Sequence, residues 1–492
     1  MRFDRHHSIV TPREMAAVDR DAARSGIDSF ALMTAAGTAV SATALRLYPQ
    51  ALRFVVLCGP GNNGGDGYVA ATALRGSGAG VVVHTLGNSS SLKGDAAHAF
   101  SLWPGGVLPI GDYAPQAGDI ILDALFGAGL TRAVPENVAT LMRTVSGLHL
   151  PVIAVDLPSG VDGRTGQVLG ESFRASHTVT FMARKPGHLL IPGRMLCGGL
   201  DVIDIGIPER LLRSHWGGLG ENGPHLWSDH AAVLDPSAHK FKRGHLAVFS
   251  GGPLSTGAAR LSAAAGLKAG AGLVTLASGA AALAANASHL TAVMLRHIEG
   301  AADLKAWVDD RRVSAFVLGP GFGDLEKIRH YVALLHERAL VLDADGITAF
   351  KDDPSQLFSA FSSGSTRFVM TPHEGEFARL FPDIEADETL SKVDRALAAA
   401  KRSHAIIVYK GADTVIASPD GRAVINTNAP SWLATAGSGD TLGGIIGAHL
   451  AQGMPAFEAA TAGVWRHGRA GMKAGEGLTA EDLAAAIEPL ST

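Results

Sequence analysis

Short apolar runs rich in β-branched residues alternate along the chain with stretches of helical periodicity. Strands that are apolar throughout and separated by helices are typical of parallel sheets covered on both faces. In the first half, the predicted strands are Arg53–Cys58, Val81–Leu86, Ile120–Leu125, Val152–Asp156, Val179–Met182 and Leu200–Ile205. In the second half, they are His245–Phe249, Leu273–Ala277, Ala315–Leu318, Leu340–Asp343, Phe368–Met370, Ile406–Tyr409, Val415–Ala417 and Ala423–Ile425. Both halves are therefore predicted to be three-layer α/β/α domains.

Helix signals and a change of texture predict the domain organisation. Thr11, Pro12 and Glu14 form a capping box that opens the first helix. In the second half, the predicted helices include Thr256–Lys268, Leu325–Glu337 and Glu388–Arg402. Between the halves, residues 206–243 show little periodicity and contain Gly-Pro and Asp-Pro pairs. We therefore predict one domain over residues 1–215, a linker over 216–239 and a second domain over 240–492.

Composition excludes several classes of protein. The 492 residues are 18% charged and 47% apolar, with a formal net charge of -4, so no basic surface for nucleic acid and no polybasic membrane anchor is expected. Two distant cysteines, Cys58 and Cys197, fit a reducing cytoplasm and no cysteine zinc site. The start MRFDRHHSIV lacks an apolar signal region. The uncharged stretch 269–287 is long enough to span a bilayer, but its small residues favour a buried strand followed by an Ala-rich helix.

A glycine-rich turn follows the first predicted strand. Gly59, Gly61 and Gly64 match the dinucleotide pattern G-x-G-x-x-G, with a helix predicted from about Tyr68. A conventional dehydrogenase would have an acid at the end of the next strand, where this chain has Gly87-Asn88. The sequence therefore disfavours a dehydrogenase and indicates a polar pocket that binds its ligand with side chains as well as backbone.

Polar residues also follow other strands of the first half. Because the carboxyl ends of parallel strands face one crevice, Asn63, Asp123, Asp156 and Ser159 are expected to converge there. Their oxygen ligands suit a hard cation better than zinc. The alternative is that Asp123 and Asp156 only cap the helices that follow them.

Small-residue loops recur at strand ends in the second half. They comprise residues 251–259, 318–323, 410–414 and 437–440, and no P-loop motif is present. Gly437 to Gly439 precede a helix whose N-terminus favours anions, and Asp440 could take a proton from an attacking hydroxyl. The alternative is an ordinary Gly-rich turn with a capping Asp. The pair His373-Glu374 does not form H-E-x-x-H, so a zincin site is excluded, and His373 is expected to hydrogen-bond a substrate.

The first half resembles a known family. The motifs GPGNNGGDGYVAA, DALFGAGLTR, AVDLPSG and ARKPGHLL, within about residues 10–210, resemble the N-terminal Rossmann-like epimerase domain of the NAD(P)H-hydrate repair enzymes. The resemblance implies that Asp156 is the acid/base and that Asn63, Asp123 and Ser159 hold K⁺, with Lys185 a further candidate for substrate contact. It also implies that the hydrated dinucleotide is bound by Asn62, Asn63, Gly64, Gly65, Asp66, Gly127, Ala128, Gly129, Leu130, Thr131, Arg132, Ala133 and Asp156.

The second half resembles the dehydratase domain that partners this epimerase, which has a ribokinase-like fold. The motifs LGPGFG, LDADGIT, MTPHEGEFARL, YKGADTVIA and AGSGDTLGGIIGAHLAQG appear in family order within about residues 240–488. The resemblance implies that Ala258, Gly321, His373 and Asp440 contact the hydrated cofactor, and that Lys410, Gly411, Ala412, Asp413, Thr414 and Gly439 bind the adenine nucleotide. One departure is Gly251-Gly252-Pro253-Leu254, where the family pattern predicts a Gly-Ser start and an aromatic residue.

The resemblance implies a metabolite-repair function. Hydrated NADH and NADPH (NADHX and NADPHX) would be epimerised at C6 in the first domain. The S form would be dehydrated in the second, with ADP as phosphoryl donor and AMP and phosphate as products. Mg²⁺ is expected for phosphoryl transfer. We further predict a cytoplasmic homo-oligomer that binds these small molecules and neither nucleic acid nor membrane.

Two rival functions remain open at the level of sequence. The first is a ribokinase-like small-molecule kinase, for example of a vitamin precursor, with a regulatory dinucleotide-binding domain. The second is a non-enzymatic N-terminal scaffold, against which Asp123, Asp156 and the NNGGD loop count. The kinase would leave a stable phosphorylated product, whereas the repair reaction releases inorganic phosphate.

Overall fold

The structure is a computed structural model that describes residues 1–231 and 240–490. The chain forms two compact units, one from Arg2 to Leu219 and one from Gly220 onward. The boundary lies inside the segment that the sequence predicts as a linker. Residues 232–239 of that predicted linker lie outside the described residues.

The first unit is built on a parallel sheet with strand order β3-β2-β1-β4-β5-β6-β7. The chain order reverses between β1 and β4, where a doubly wound sheet opens a crevice for ligands. The strands are β1 (Arg53–Cys58), β2 (Val81–Thr85), β3 (Val107–Pro109), β4 (Asp119–Ala124), β5 (Val152–Val155), β6 (His177–Phe181) and β7 (Gly199–Ile203). The helices are α1 (Pro12–Arg24), α2 (Ser29–Leu47), α3 (Asn62–Gly76), α4 (Gly94–Leu102), α5 (Glu136–Gly147), α6 (Gly193–Leu196) and α7 (Glu209–His215).

The second unit is built on a larger mixed sheet, with order β11-β10-β9-β12-β13-β14-β15-β16-β17-β8. Neighbours from β11 to β15 pair in parallel, and β15, β16 and β17 pair antiparallel. The strands are β8 (Leu219–Glu221), β9 (His245–Phe249), β10 (Leu273–Ser278), β11 (Met294–His297), β12 (Ala315–Leu318), β13 (Ala339–Leu342), β14 (Phe368–Met370), β15 (Ile406–Tyr409), β16 (Val415–Ala417) and β17 (Ala423–Ile425). The helices are α8 (Thr256–Lys268), α9 (Ala280–Ala287), α10 (Ala301–Val308), α11 (Leu325–Leu335), α12 (Asp345–Thr348), α13 (Pro354–Ala360), α14 (Glu374–Leu380), α15 (Pro382–Glu385), α16 (Lys392–Ser403), α17 (Ser438–Ala451), α18 (Ala456–Ala474) and α19 (Ala480–Ala486).

Helix α17 lies at the centre of the second unit. All its residues from Thr441 to Ala451 are buried, and it packs against α8, α18 and strands β9, β12 and β13. Glycines permit this contact, because a Cβ at Gly444 would lie 2.0 Å from the Ser262 carbonyl oxygen. The apolar run after the Gly-rich loop is therefore a core helix whose N-terminus is fixed in place.

The predicted α/β architecture is confirmed, but the predicted start of α3 is wrong. The helix begins at Asn62 rather than near Tyr68, so NNGGD forms its first turns and not a loop. Tertiary packing overrides the low helix propensity of glycine here. A Cβ at Gly64 would lie 2.0 Å from the Gly59 carbonyl oxygen, and one at Gly67 would lie 2.6 Å from the Ala124 Cβ. These glycines let the helix approach the sheet.

Two apolar segments bear on membrane association. Residues 269–287 form strand β10 and helix α9, as predicted. Helix α2 is long and apolar enough by length and composition to cross a membrane, which is weak evidence alone. Its buried residues include Met33 and Val40, and it packs extensively against α3. In the structure, α2 is thus part of the helical layer that packs together with α3 in the first unit.

Candidate active sites

The first unit contains a cavity of about 650 Å³ at the carboxyl ends of β1 and β4. Helix α1 and the first turns of α2 and α3 form the opposite walls. Polar groups of the lining include Asp19, Asn62, Asn63, Asp66, Asp95, Thr131, Arg132, Asp156 and Lys185. The position agrees with the general rule that ligands bind where the strand order reverses.

Asp156 and Lys185 form a buried ion pair in this cavity. Lys185 Nζ lies 2.7 Å from Asp156 Oδ1, and Lys185 is 3% exposed. The Thr180 hydroxyl also donates to Oδ1 (2.9 Å), and the Ala128 N–H donates to Oδ2 (2.9 Å). Burial alone would raise the pKa of Asp156, but Lys185, the Ala128 N–H and His188 together outweigh burial and hold this pKa well below its ordinary value. The carboxylate is therefore ionised and fixed in orientation.

Asp156 does not cap a helix, which was the alternative reading of its position. Its backbone is left-handed (φ 66°), a costly conformation for a non-glycine residue. His188 supports it: Nδ1 accepts the Lys185 N–H (2.9 Å), so Nε2 donates to the Asp156 carbonyl (2.7 Å). Burial and then Lys185 lower the pKa of His188 to about 4, so the ring is neutral.

A second group of oxygens surrounds Asp123, which is fully buried. The Ser159 hydroxyl donates to Asp123 Oδ1 (2.6 Å) and the Ser159 N–H to Oδ2 (2.7 Å). The Phe126 N–H in turn donates to the Ser159 hydroxyl (2.9 Å). Burial raises the pKa of Asp123 to about 6 although Ser159 and Leu125 donate to it. Asn63 lines the neighbouring cavity, and its buried Nδ2 has no hydrogen-bond partner among the described residues.

Gly127 joins these two groups. A Cβ at this residue would lie 3.0 Å from Asp156 Oδ2 and 3.1 Å from Asn63 Oδ1. Only glycine leaves this space open to a ligand beside both side chains. By contrast, a Cβ at Gly129 would meet nothing within 4 Å.

The structure separates the predicted dinucleotide contacts into two sets. Asn62, Asn63, Asp66 and the segment 127–132 line the cavity. Gly64 and Gly65 face neighbouring backbone and the Met33 side chain, and Ala133 lies near Gly170. These three residues shape the wall rather than line the cavity.

Three residues of this site were not predicted from the sequence: Asp19, Thr180 and His188. Asp19 lies on α1 and lines the cavity, and burial raises its pKa to about 6, with Lys185 lowering it and Asp156 raising it. Burial, followed by Asp156 and Asp19, also raises the pKa of Asp66 well above its ordinary value. His188 lies in the motif ARKPGHLL, so its place near the site could have been predicted from the sequence. The local pattern of α1, by contrast, does not distinguish Asp19 from a surface acid.

The second unit gathers its small-residue loops at the carboxyl edge of its sheet. Loops after β9 and β12 meet, since a Cβ at Gly251 would lie 1.8 Å from the Gly321 carbonyl oxygen. A Cβ at Gly321 would lie 3.3 Å from the Ala258 Cβ. These two predicted substrate contacts are therefore neighbours. The unusual Leu254 is fully exposed beside them.

Asp440 stands in the first turn of α17, after Gly437 in left-handed conformation (φ 84°). The Ser262 hydroxyl donates to its carbonyl (2.6 Å). Burial and the nearby Asp343 raise the pKa of Asp440 to about 6, while Lys410 lowers it. The carboxylate is thus a base of moderate strength at a helix N-terminus that favours anions.

The predicted nucleotide segment follows β15. Lys410 Nζ lies 2.8 Å from Asp343 Oδ1, and a Cβ at Gly439 would lie 3.6 Å from the same Nζ. Asp413 pairs with Lys392 at 2.5 Å, and the Thr414 hydroxyl donates to the Gly411 carbonyl (2.8 Å). Lys410 and Gly439 are therefore brought together, whereas Asp413 is held by α16.

His373 lies beside this site as the N-cap of α14. Its Nδ1 accepts the N–H groups of Gly375 (3.0 Å) and Glu376 (3.3 Å), and 56% of its side chain is exposed. The ring thus combines a structural cap with an exposed edge. The predicted hydrogen bond to substrate stays a prediction.

The fold and the two sites define a two-domain α/β enzyme, in which a Rossmann-like unit with a carboxylate–ammonium pair accompanies a unit with a glycine-lined anion site. Comparisons with known proteins agree. The model of the family described as NAD(P)H-hydrate dehydratase matches residues 246–489, and that described as YjeF-related protein N-terminus matches residues 29–187.

Full-length relatives extend these matches. The bifunctional NAD(P)H-hydrate repair enzyme Nnr of Thermofilum pendens is 36% identical over 96% of this chain and 93% of its own. The protein of the same name from Escherichia coli is 31% identical over 94% and 89%. A crystal structure of ADP/ATP-dependent NAD(P)H-hydrate dehydratase from Bacillus subtilis is 23% identical, with a TM-score of 0.45 over 54% of this chain and 94% of that one.

The chain belongs to the bifunctional NAD(P)H-hydrate repair enzymes. The family predicted from the sequence motifs and its enzymatic class are thereby confirmed, and the two α/β units agree with the predicted fold class.

Proposed function

We propose that the chain repairs hydrated NADH and NADPH in two steps, with Asp156 and Asp440 as the reacting side chains of separate sites. The observation that carries this proposal is the pairing in one chain of two different carboxylates. Asp156 is ionised by a buried ammonium in a dinucleotide-type crevice. Asp440 is a moderate base at a glycine-lined helix N-terminus.

In the first unit, the hydrate exchanges the configuration of its C6 hydroxyl. The C6–O bond breaks as the ring nitrogen lone pair forms a C=N bond, and the hydroxyl gains a proton and leaves as water. Water then adds to the opposite face and loses a proton. Asp156 that has taken a proton from solvent gives it to the leaving hydroxyl, and the ionised carboxylate that results accepts the proton released by the adding water. Lys185 favours the ionised carboxylate, which also stabilises positive charge on the ring.

Asn63, Asp123 and Ser159 would hold the potassium ion of this unit. The donor set fits, because it offers carboxylate, hydroxyl and amide oxygens around a buried carboxylate whose donors, Ser159 and Leu125, are neutral. A bound K⁺ would supply positive charge that neutralises Asp123 and fixes the Asn63 side chain beside the cavity.

In the second unit, the S hydrate is phosphorylated and loses phosphate. Asp440 removes the proton of the C6 hydroxyl, whose oxygen forms a bond to the β-phosphorus of ADP while AMP leaves. The nitrogen lone pair then expels inorganic phosphate and restores the dihydronicotinamide. N–H groups of the segment 437–439 stabilise the transferred phosphoryl group.

Mg²⁺ and the nucleotide complete this site. Among the described residues, no group of three or more His, Cys, Asp or Glu side chains could hold a metal ion. We expect Mg²⁺ to be bound largely by the phosphates of the nucleotide. It would neutralise negative charge on the phosphoryl oxygens. We also propose a cytoplasmic location, supported by the two distant cysteines, and a homo-oligomeric state.

The test is to incubate the chain with hydrated NADH and ADP, and separately ATP, with Mg²⁺ and K⁺. Return of the dihydronicotinamide absorbance with release of one inorganic phosphate per NADH supports the proposal. A stable phosphorylated product without NADH would support the rival small-molecule kinase instead. No conversion with either nucleotide would refute the dehydratase.

A further inference from the structure

Three neighbouring strand ends of the second sheet place charged side chains around one ammonium group. Strands β13, β14 and β15 are adjacent and parallel. Lys410 follows β15, and its Nζ lies 2.8 Å from Asp343 Oδ1 after β13 and 3.8 Å from Glu376 Oε2 on α14. The Lys410 N–H donates to the Pro372 carbonyl (2.8 Å), which fixes the residue across β14.

The same ammonium group faces the anion loop. A Cβ at Gly439 would lie 3.6 Å from Lys410 Nζ and 3.7 Å from Asp343 Oδ2. Gly439 is the second residue of α17, one position before Asp440. Lys410 and Asp343 therefore occupy the space in front of the helix N-terminus where a phosphoryl group would bind.

Asp343 is held more rigidly than a surface acid. It is 2% exposed, and its Oδ1 accepts the Ala344 N–H (2.9 Å) together with the Lys410 ammonium. Ala344 has a left-handed backbone (φ 50°), and a Cβ at Gly319 would lie 1.9 Å from the Asp343 carbonyl oxygen. Such strain in a buried turn indicates a position set by more than local preference.

We propose that Asp343 is a positioning residue of the C-terminal reaction, which holds the Lys410 ammonium against the loop Gly437–Asp440. This inference rests on the proposed function, since it assumes that this loop receives the transferred phosphoryl group. Asp343 acts through Lys410. Without its carboxylate, a flexible lysine side chain would have to be ordered at each turnover.

Asp343 and Lys410 also act in opposite directions on the base. Asp343 raises the pKa of Asp440, and Lys410 lowers it. Burial lowers the pKa of Lys410, but Asp343 and Glu376 raise it, so the ammonium group stays charged. His467 is the buried partner of the Ser438 hydroxyl, and burial lowers its pKa to about 4, so its ring stays neutral. The dehydration rate should fall at low pH as Asp440 becomes protonated. Removal of Asp343 should move this acid limb of the rate–pH profile to lower pH, and removal of Lys410 should move it to higher pH.

The test compares Asp343→Asn, Lys410→Met and the double variant with wild type in ADP-dependent dehydration of the S hydrate. Asp352→Asn is the matched control, because Asp352 is an exposed acid and the substitution is the same. Each single variant should lose about 10²-fold in kcat, the cost of misplacing a reacting group. The double variant should lose little more than the worse single variant, because both remove one unit of function. The acid limb should move to lower pH in Asp343→Asn and to higher pH in Lys410→Met.

Several results would overturn the inference. One is a dehydration rate for Asp343→Asn within about twofold of the rate of the Asp352→Asn control. A second is a double variant whose loss equals the sum of the two single losses in free energy. A third is a pair of single variants whose acid limbs lie at the same pH. If Asp343→Asn does not fold, Asp343→Glu and Lys410→Met still decide. Asp343→Glu keeps a carboxylate and should retain part of the wild-type dehydration rate. Lys410→Met should still move the acid limb of the rate–pH profile to higher pH. If wild type itself converts no hydrate, the proposed function fails. ADP binding measured by calorimetry then still reports whether Asp343 orders Lys410, since both variants should weaken it in a non-additive way.

Discussion

Replacing Lys185 by Met should destabilise the first unit and reverse how its stability depends on pH. The ammonium contacts Asp156 Oδ1 (2.7 Å), the Thr180 hydroxyl (2.8 Å) and the Phe181 carbonyl (3.2 Å), and the residue is 3% exposed. Removing one partner of a buried ion pair leaves the other charge uncompensated and costs about 3–5 kcal/mol. At about 2–4 °C per kcal/mol for a unit of this size, the melting temperature should fall by roughly 6–20 °C.

The sign of the pH effect follows from the direction of the Asp156 pKa. In wild type this pKa lies below its unfolded value, so the ion pair stabilises the fold above the unfolded pKa and is lost only as pH falls through the folded one. In Lys185→Met, burial acts on Asp156 without its main opposing charge, and the folded pKa rises. Ionisation then opposes folding, so the variant should lose stability as pH rises through that value, relative to wild type.

The assay is calorimetric unfolding of the full chain at about pH 5 and about pH 8, where an unshifted Asp would be ionised at both. Lys93→Met is the matched control, because Lys93 is exposed and the substitution is the same. The difference between Lys185→Met and wild type should be smaller at the lower pH. Burial raises the pKa of Asp19 and Lys185 opposes this, so loss of Lys185 acts on Asp19 in the same direction as on Asp156 and adds to the effect. Burial, Asp156 and Asp19 set the pKa of Asp66, and all three are present in both proteins. An equal or larger deficit at low pH, or a loss no greater than that of Lys93→Met, would refute the reasoning.

Further substitutions test the two sites separately. Gly127→Ala places a methyl group 3.0 Å from Asp156 Oδ2 and should lower epimerisation by about tenfold or more without affecting dehydration. Gly129→Ala, with open space around it, is its control, and equal losses in both would contradict the close-approach argument. Asp440→Asn should lower dehydration by about 10²–10⁴-fold and leave epimerisation intact. Because Asp440 acts in its ionised form and its pKa is raised to about 6, wild-type kcat for dehydration should fall as pH drops below that value. A profile that is flat through this range would exclude Asp440 as the titrating base.

Much of the fold could be predicted because most strands are apolar throughout. The bounds of His245–Phe249 and Ile406–Tyr409, for example, agree with β9 and β15, whose residues are all buried. The missed strands β3, β8 and β11 lie at sheet edges and are only three or four residues long, so each is too short to give a clear pattern. The late start predicted for α3 has another cause, since packing of glycines against the sheet is invisible to local propensity.

Parts of the sites could be predicted for a different reason. Asp156 and Asp440 lie in dense local motifs, which point to chemistry without knowledge of the fold. Asp343 lies in the motif LDADGIT, but its role, like that of Asp19, could not be assigned from the motif because it depends on partners distant in sequence. The Asp343–Lys410 contact, for instance, joins residues 67 positions apart. Only the strand order brings such groups together.

The central claim is that two sites act in sequence on a substrate released between them, and a mixing experiment tests it directly. A mixture of R and S hydrates is incubated with ADP and either Asp156→Ala, Asp440→Asn or both variants together. Asp156→Ala alone should restore NADH only to the extent of the S fraction, apart from slow spontaneous epimerisation, and Asp440→Asn alone should restore almost none. The two variants together should drive repair to completion, because each supplies the step that the other lacks. Repair that stops at the S fraction in the mixture, or full repair by folded Asp156→Ala alone at the wild-type rate, would contradict the account.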